Sequence, residues 1–291
     1  MTFVLLWSTG FIVARYGTDD AGPLTFLAVR VVIVTALLTV VAAATSSQRP
    51  SPGQIGWSCV TGVLMHAVYL GGVFIAVSQG MPSGVGALIA ALHPVVTSLA
   101  GGPLLGERLV RLQWVGVALG FGGVVAVVID RILADSAGVS AGPLLAASLS
   151  MLGMAGGTLI QRRKCSTAPL LWTTVVQYAA SAVVLGVAAA VFEGFEIEFT
   201  RRTVFALAWA VIVLSVVAVL IMLWLLQRHA AARVSSLFFL TPALSTIEGA
   251  ILFDERLGAL ALVGLTAALV GVAMVTRYGS ITPNPPVNTS R

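Results

Sequence analysis

Two stretches of this chain repeat each other without a gap. Residues 84–128 read GVGALIAALHPVVTSLAGGPLLGERLVRLQWVGVALGFGGVVAVV, and residues 232–276 read ARVSSLFFLTPALSTIEGAILFDERLGALALVGLTAALVGVAMVT. The overlay aligns Leu92 with Leu240, Pro94 with Pro242, and Thr97 with Ser245. It also aligns Glu107-Arg108-Leu109 with Glu255-Arg256-Leu257, Gly116 with Gly264, and Gly123 with Gly271. The offset is 148 residues throughout. A repeat of this length restricts the chain to folds that can be built twice from one plan. In an apolar chain, weak internal symmetry is the usual mark of a secondary transporter.

The chain is apolar enough for that reading to apply. Of its 291 residues, 58% are hydrophobic and 9% are charged, against roughly 25% charged in a soluble domain. No water-soluble fold hides so much apolar surface, so the lipid bilayer is the expected partner. The net charge of +5 is not a nucleic-acid footprint, because the cations sit in short loops between apolar runs. Two cysteines, Cys59 in an apolar run and Cys165 in a basic loop, support neither a disulfide framework nor a metal site. The stretch from Met1 lacks a basic leader and a small-residue cleavage site, and is expected to be a retained span.

A helix needs about 20 apolar residues to cross the hydrocarbon. That ruler predicts ten spans: 1–17, 23–44, 55–78, 83–102, 112–130, 141–160, 170–191, 203–226, 232–253 and 258–276. Breakers separate them, among them Asp19-Asp20 with Gly22-Pro23, Ser51-Pro52-Gly53, Met81-Pro82-Ser83 and Ala168-Pro169. Residues 277–291, with Pro283, Pro285 and Pro286, are expected to form a disordered cytoplasmic tail.

Lys and Arg in the loops orient the spans. With a cytoplasmic N-terminus, Arg49, Arg108, Arg111, Arg162, Arg163 and Lys164 fall inside, as do Arg228, Arg233, Arg277 and Arg291. Only Arg131, Arg201, Arg202 and Arg256 fall outside. Both termini are then cytoplasmic. The repeat divides the spans into five and five, 1–130 and 141–276, and five is odd. The second copy therefore enters the membrane inverted. The expected fold is an all-α integral membrane protein of ten transmembrane helices in two inverted five-helix repeats, with a substrate site near the midplane between them.

In these features the chain resembles the drug/metabolite transporter superfamily, specifically its ten-helix members with two EamA-type repeats. The resemblance rests on Leu6-Trp7-Ser8-Thr9-Gly10-Phe11, on Pro23-Leu24 followed by Arg30, on Pro94 and Pro242, and on the Gly/Asp-Glu-Arg-Leu signatures after spans four and nine. It implies a multi-pass carrier of the bacterial inner membrane, commonly an exporter of amino acids or other small metabolites and often coupled to protons. It also implies that spans one, three, four, six, eight and nine line the site. The expected mechanism is rocking of the two five-helix repeats around that site.

Ionisable groups inside a membrane are costly and mark pathways. Arg30 and Glu248 each lie about 10 Å from the outer edge, at about 1.5 Å rise per residue. They either pair as a structural lock or bracket a zwitterionic substrate. Glu248 has only Ala100 as its counterpart in the first copy, which makes it the stronger candidate for substrate or proton. His66 and His93 lie mid-span, where each is a candidate proton carrier or a hydrogen-bonding neighbour of another helix. Tyr69 shares a face with His66. Trp7, Thr9, Gln177 and Thr241 complete the candidate substrate-binding set, while Trp172, Trp209 and Trp224 read as interface anchors. Pro94 and Pro242 each remove a backbone donor, so they are candidate kinks or gates. Gly116, Gly120, Gly123, Gly264 and Gly271 predict close helix contact between spans five and ten or a homodimer face.

Other classes lack their signatures. No Walker motif, His-Glu-x-x-His or Gly-x-Ser-x-Gly is present, which argues against ATP-driven pumping and intramembrane hydrolysis. No cofactor or metal is expected. A nucleotide-sugar or phosphate exchanger would need several cations in its spans, and Arg30 stands nearly alone. The remaining alternatives to a small-metabolite carrier are efflux of hydrophobic drugs and a structural subunit.

Overall fold

A backbone surrounded by hydrocarbon must close its hydrogen bonds within each segment, and helices do this. The computed structural model describes residues 2–18, 20–45, 48–81, 89–90, 92–106, 109–134, 141–241, 244 and 259–277. Among them there is no strand, only an isolated bridge between Ala21 and Ile197. Among the described residues, the helices are numbered in chain order. They are α1 (Thr2–Ser8 and Gly10–Gly17), α2 (Pro23–Ala44), α3 (Pro52–Ser78), α4 (His93–Leu105) and α5 (Arg111–Ala134), followed by α6 (Ala141–Lys164), α7 (Leu170–Phe192), α8 (Arg201–Arg228), α9 (Ala231–Ser236, continued by a 3₁₀ turn at Leu237–Leu240) and α10 (Ala259–Arg277). Five of these, α2, α3, α6, α7 and α8, are long and apolar enough to cross a membrane. Their outer faces carry the surface a bilayer wants: Val183, Val187 and Val191 of α7 and Leu145, Leu149 and Leu152 of α6 are all more than half exposed.

The helix starts follow local chemistry. Pro23 and Pro52 take first-turn positions, where a missing N–H costs nothing. Ser51 and Gln54 form a reciprocal capping box at the start of α3. α2 is capped from elsewhere in the chain. The Glu193 carboxylate accepts from the Leu24 N–H at 2.9 Å, the Thr25 N–H at 2.7 Å and the Thr25 hydroxyl at 2.8 Å. Beside it, Asp20 accepts from the Thr200 and Thr203 hydroxyls at 2.7 and 3.1 Å. The loop before α2 is thereby clasped to the loop before α8. At another end, Arg162 donates to the last carbonyls of α8, Leu226 and Gln227, both at 3.2 Å.

The most extensive packing joins α2 to α7, α5 to α10, α3 to α6 and α7, and α4 to α6 and α9. Each of these pairs takes one helix from residues 1–130 and one from residues 141–276. Rocking of the two five-helix halves as rigid blocks would have to slide or break these contacts. The glycine stripe expected at spans five and ten is used here, inside the molecule. A Cβ on Gly116 would stand 2.8 Å from the Gly271 carbonyl oxygen, and one on Gly271 would stand 2.6 Å from that of Gly116.

Two helices depart from α geometry. α3 widens to a π-helix at Val63–Val68, and α8 does so at Ala210–Ala218. Shifted by the repeat offset, the first segment falls inside the second. Pro94 occupies the first turn of α4, which begins at His93, shortly after helical residues 89–90. The proline inside α4 is Pro103. Pro242, Glu248 and both Glu-Arg-Leu glutamates lie outside the described residues.

Candidate functional site

π-Helical turns open a helix and recur at functional sites. Here both face one cavity. It is bounded by Trp7 and Gly10 of α1, Arg30 of α2, His66 and Tyr69 of α3, and Leu214 of α8. Counting the open space at its mouth, it encloses about 490 Å³. Leu70, Val73, Phe74 and Val219 complete an apolar wall.

The polar side is built on Arg30, 3% exposed. Its Nε donates to the Ser215 hydroxyl at 2.8 Å, which is its one hydrogen bond to a described residue. Ser215 sits in the α8 π-turn, and its carbonyl accepts from the Tyr178 hydroxyl at 3.0 Å. The Tyr178 ring stacks on His66 with centroids 4.2 Å apart and planes 11° from parallel. A chain of contacts therefore runs from α2 through α8 and α7 to α3. Trp7 closes the cavity from α1, donating through Nε1 to the Tyr69 hydroxyl at 3.3 Å. Phe238 of the α9 3₁₀ turn meets Trp7 edge-on at 5.2 Å.

Of the expected site residues, Trp7, Arg30, His66 and Tyr69 come together around this cavity. Thr9 turns away from it. Its hydroxyl donates to the Leu6 carbonyl at 2.7 Å and accepts from Trp209 Nε1 at 3.0 Å. Trp209 is thus an internal tie, not the membrane anchor its residue type suggests. Gln177 lies behind the Tyr178 ring, donating to Gln161 Oε1 at 2.8 Å. His93 is on the far side of Phe238, whose ring it meets edge-on at 4.6 Å, and its Nδ1 is 2.8 Å from the Ala90 carbonyl. Thr241 is buried with its hydroxyl unpaired among the described residues.

Tyr178, Ser215 and Phe238 were missed from sequence. One signal was available for Tyr178, because the repeat offset maps Arg30 onto it. The same offset maps His93 onto Thr241. Ser215 and Phe238 carry no such mark. Three or more His, Cys, Asp or Glu side chains in metal-binding proximity do not occur among the described residues.

The profile of the EamA-like transporter family matches residues 1–129 and 142–277. The uncharacterized inner membrane transporter YedA of Escherichia coli K12 is 25% identical over 97% of this chain and 91% of its own length. A probable amino-acid metabolite efflux pump of the same organism is 25% identical over 92% of this chain and 90% of its own. A chloroplastic WAT1-related protein of Arabidopsis thaliana is 26% identical over 92% of this chain and 66% of its own. One solved crystal structure superposes with a TM-score of 0.78 at 21% identity, covering 95% of each chain, which is a likeness of fold.

Proposed function

The chain belongs to the EamA-like transporter family, and from that premise we propose that it exports a small carboxylate-bearing metabolite, such as an amino acid. The site is the bacterial inner membrane and the mechanism is alternating access driven by an inward proton. The observation that carries this reading is Arg30. A guanidinium buried between helices and tethered through Nε alone keeps its two terminal nitrogens for a planar acceptor, and a carboxylate fits that fork. The apolar wall takes the remainder of the substrate, and the efflux-pump relative points to the same class of cargo. The coupled proton is assigned to Glu248, His66 or His93. Glu248→Gln is expected to abolish gradient-driven transport while sparing binding. With repeats interleaved as described, the moving parts are mixed sets of helices around α1, α3, α8 and α9.

The experiment is uptake into proteoliposomes of the purified chain, using a pooled panel of labelled amino acids with and without a pH gradient. One compound should accumulate, and a protonophore should abolish its accumulation. Arg30→Lys keeps the charge but loses the fork and the Ser215 tether, and should slow that flux by roughly tenfold or more. Unchanged flux in Arg30→Met, or no flux of any amino acid, would overturn the proposal.

A further inference from the structure

Between His66 and one face of the molecule the packing is polar. α3, α6 and α7 meet there. The His66–Tyr178 stack puts those two residues at one level. Nearer the start of α3, a Cβ on Gly62 would strike the Gln177 carbonyl oxygen. Gln177 is itself bonded to Gln161 of α6. Further along, Thr61 flanks Cys165, whose Sγ is 3.8 Å from the Ser58 hydroxyl. Beyond Cys165 lies the turn 165–168 that follows Arg162-Arg163-Lys164. The five residues from Thr61 to His66 cover about 7.5 Å at helical rise.

Five sealed side-chain atoms along this line have no hydrogen-bond partner among the described residues: His66 Nε2, Gln177 Oε1, Gln161 Nε2, Thr61 Oγ1 and Thr173 Oγ1. Each belongs to a residue no more than 2% exposed. A bare polar group costs more in a membrane interior than a hydrogen bond contributes. Five together rival the net stability of a domain. With Gln177 Oε1 turned to the imidazole within its reach and the Thr61 hydroxyl to the Cys165 thiol, the Thr173 hydroxyl and the Gln161 amide still remain. The set mixes a donor, an acceptor and groups that do both. Water, which both donates and accepts, suits that mixture. A metal cation does not, because the Gln161 amide N–H group and the Arg30 guanidinium oppose it.

We propose that Thr61, Gln161, Thr173 and Gln177 line a narrow hydrated column through which His66 exchanges protons with the aqueous face that carries Arg162-Arg163-Lys164. A proton entering at that face passes along the waters, each accepting one and releasing another, and ends on the imidazole lone pair. The reverse steps return it. The titratable and charged groups around His66 are Arg30 on α2, Tyr178 on α7 and Tyr69 on α3. This rests on the carrier reading only for its use, since it supplies the inner leg of a proton-coupled cycle.

Three histidines in the chain make the test direct. The full-length protein, labelled with ¹⁵N-histidine in phosphatidylcholine liposomes, is studied by water-edited solid-state NMR. His93→Gln and His229→Gln assign the signals. His66 should draw magnetisation from water about as fast as His229. The Thr61→Val/Thr173→Val double variant, and Gln161→Leu separately, should slow that transfer roughly tenfold by leaving a dry gap in the bridged path. Thr61→Ser/Thr173→Ser should preserve it. A dry His66 in the wild type, or transfer unaffected in the folded variants, overturns the proposal. No substrate enters this measurement. A hydrated His66 in a chain that moves no amino acid would therefore retire the carrier reading and leave the column standing.

Discussion

Asp20 and Glu193 hold the same pair of loops by different chemistry. Glu193 serves backbone donors at the start of α2, where an anion also meets the positive end of the helix dipole. Asp20 serves two hydroxyls, and those hydrogen bonds from Thr200 and Thr203 hold its carboxyl below the ordinary 3.8. A folded-state value below the unfolded one favours the ionised carboxylate in the fold. Its contribution is full above the unfolded value and is lost as pH falls through the lower, folded one. The thermal midpoint of the detergent-solubilised protein should therefore fall between about pH 5 and about pH 2. Asp20→Asn should flatten the part of that fall due to the clasp; an unchanged profile would mean that the carboxylate adds nothing. Sequence marked Asp20 only as a breaker between spans. Its partners lie 180 and 183 residues away, a distance that local pattern does not reach.

At the scale of the helix, what was legible depended on periodicity. Gly116, Gly120 and Gly271 stood out by helical spacing, and the structure uses them to bring α5 and α10 together. The π-turns did not stand out, since VLMHAV and AVIVLSVVA are ordinary apolar runs whose hydrogen-bond register is decided by packing. Around Pro94, a new helix starts at His93, shortly after helical residues 89–90. Gly62 shows how tightly the π-turn of α3 is set. The carbonyl it touches belongs to a helix backbone that cannot turn aside, so Gly62→Ala should cost about 1–3 kcal/mol. Its midpoint should drop by several degrees relative to Gly56→Ala, where an added Cβ meets nothing. Equal midpoints would mean that α3 and α7 separate without strain.

For the whole molecule, hydropathy located the five long apolar helices α2, α3, α6, α7 and α8 because the bilayer imposes a length on each one. It could not say which helix packs on which, since an apolar face looks alike to every neighbour. The positive-inside pattern makes a separate claim, that both termini and the Arg162-Arg163-Lys164 segment share the cytoplasmic side. Reporter fusions at each terminus, with impermeant thiol labelling of Cys introduced at Arg163 in a background lacking Cys59 and Cys165, check it. All three should report cytoplasm, and a terminus on the opposite side would remove the inverted arrangement.

The interleaving of α2 with α7 and of α5 with α10 also bears on ancestry. What was copied in the gene is not what is completed in the membrane. A polypeptide carrying one copy leaves the inner faces of its second and fifth helices uncovered until another copy arrives. Each copy supplies the cover that the other lacks.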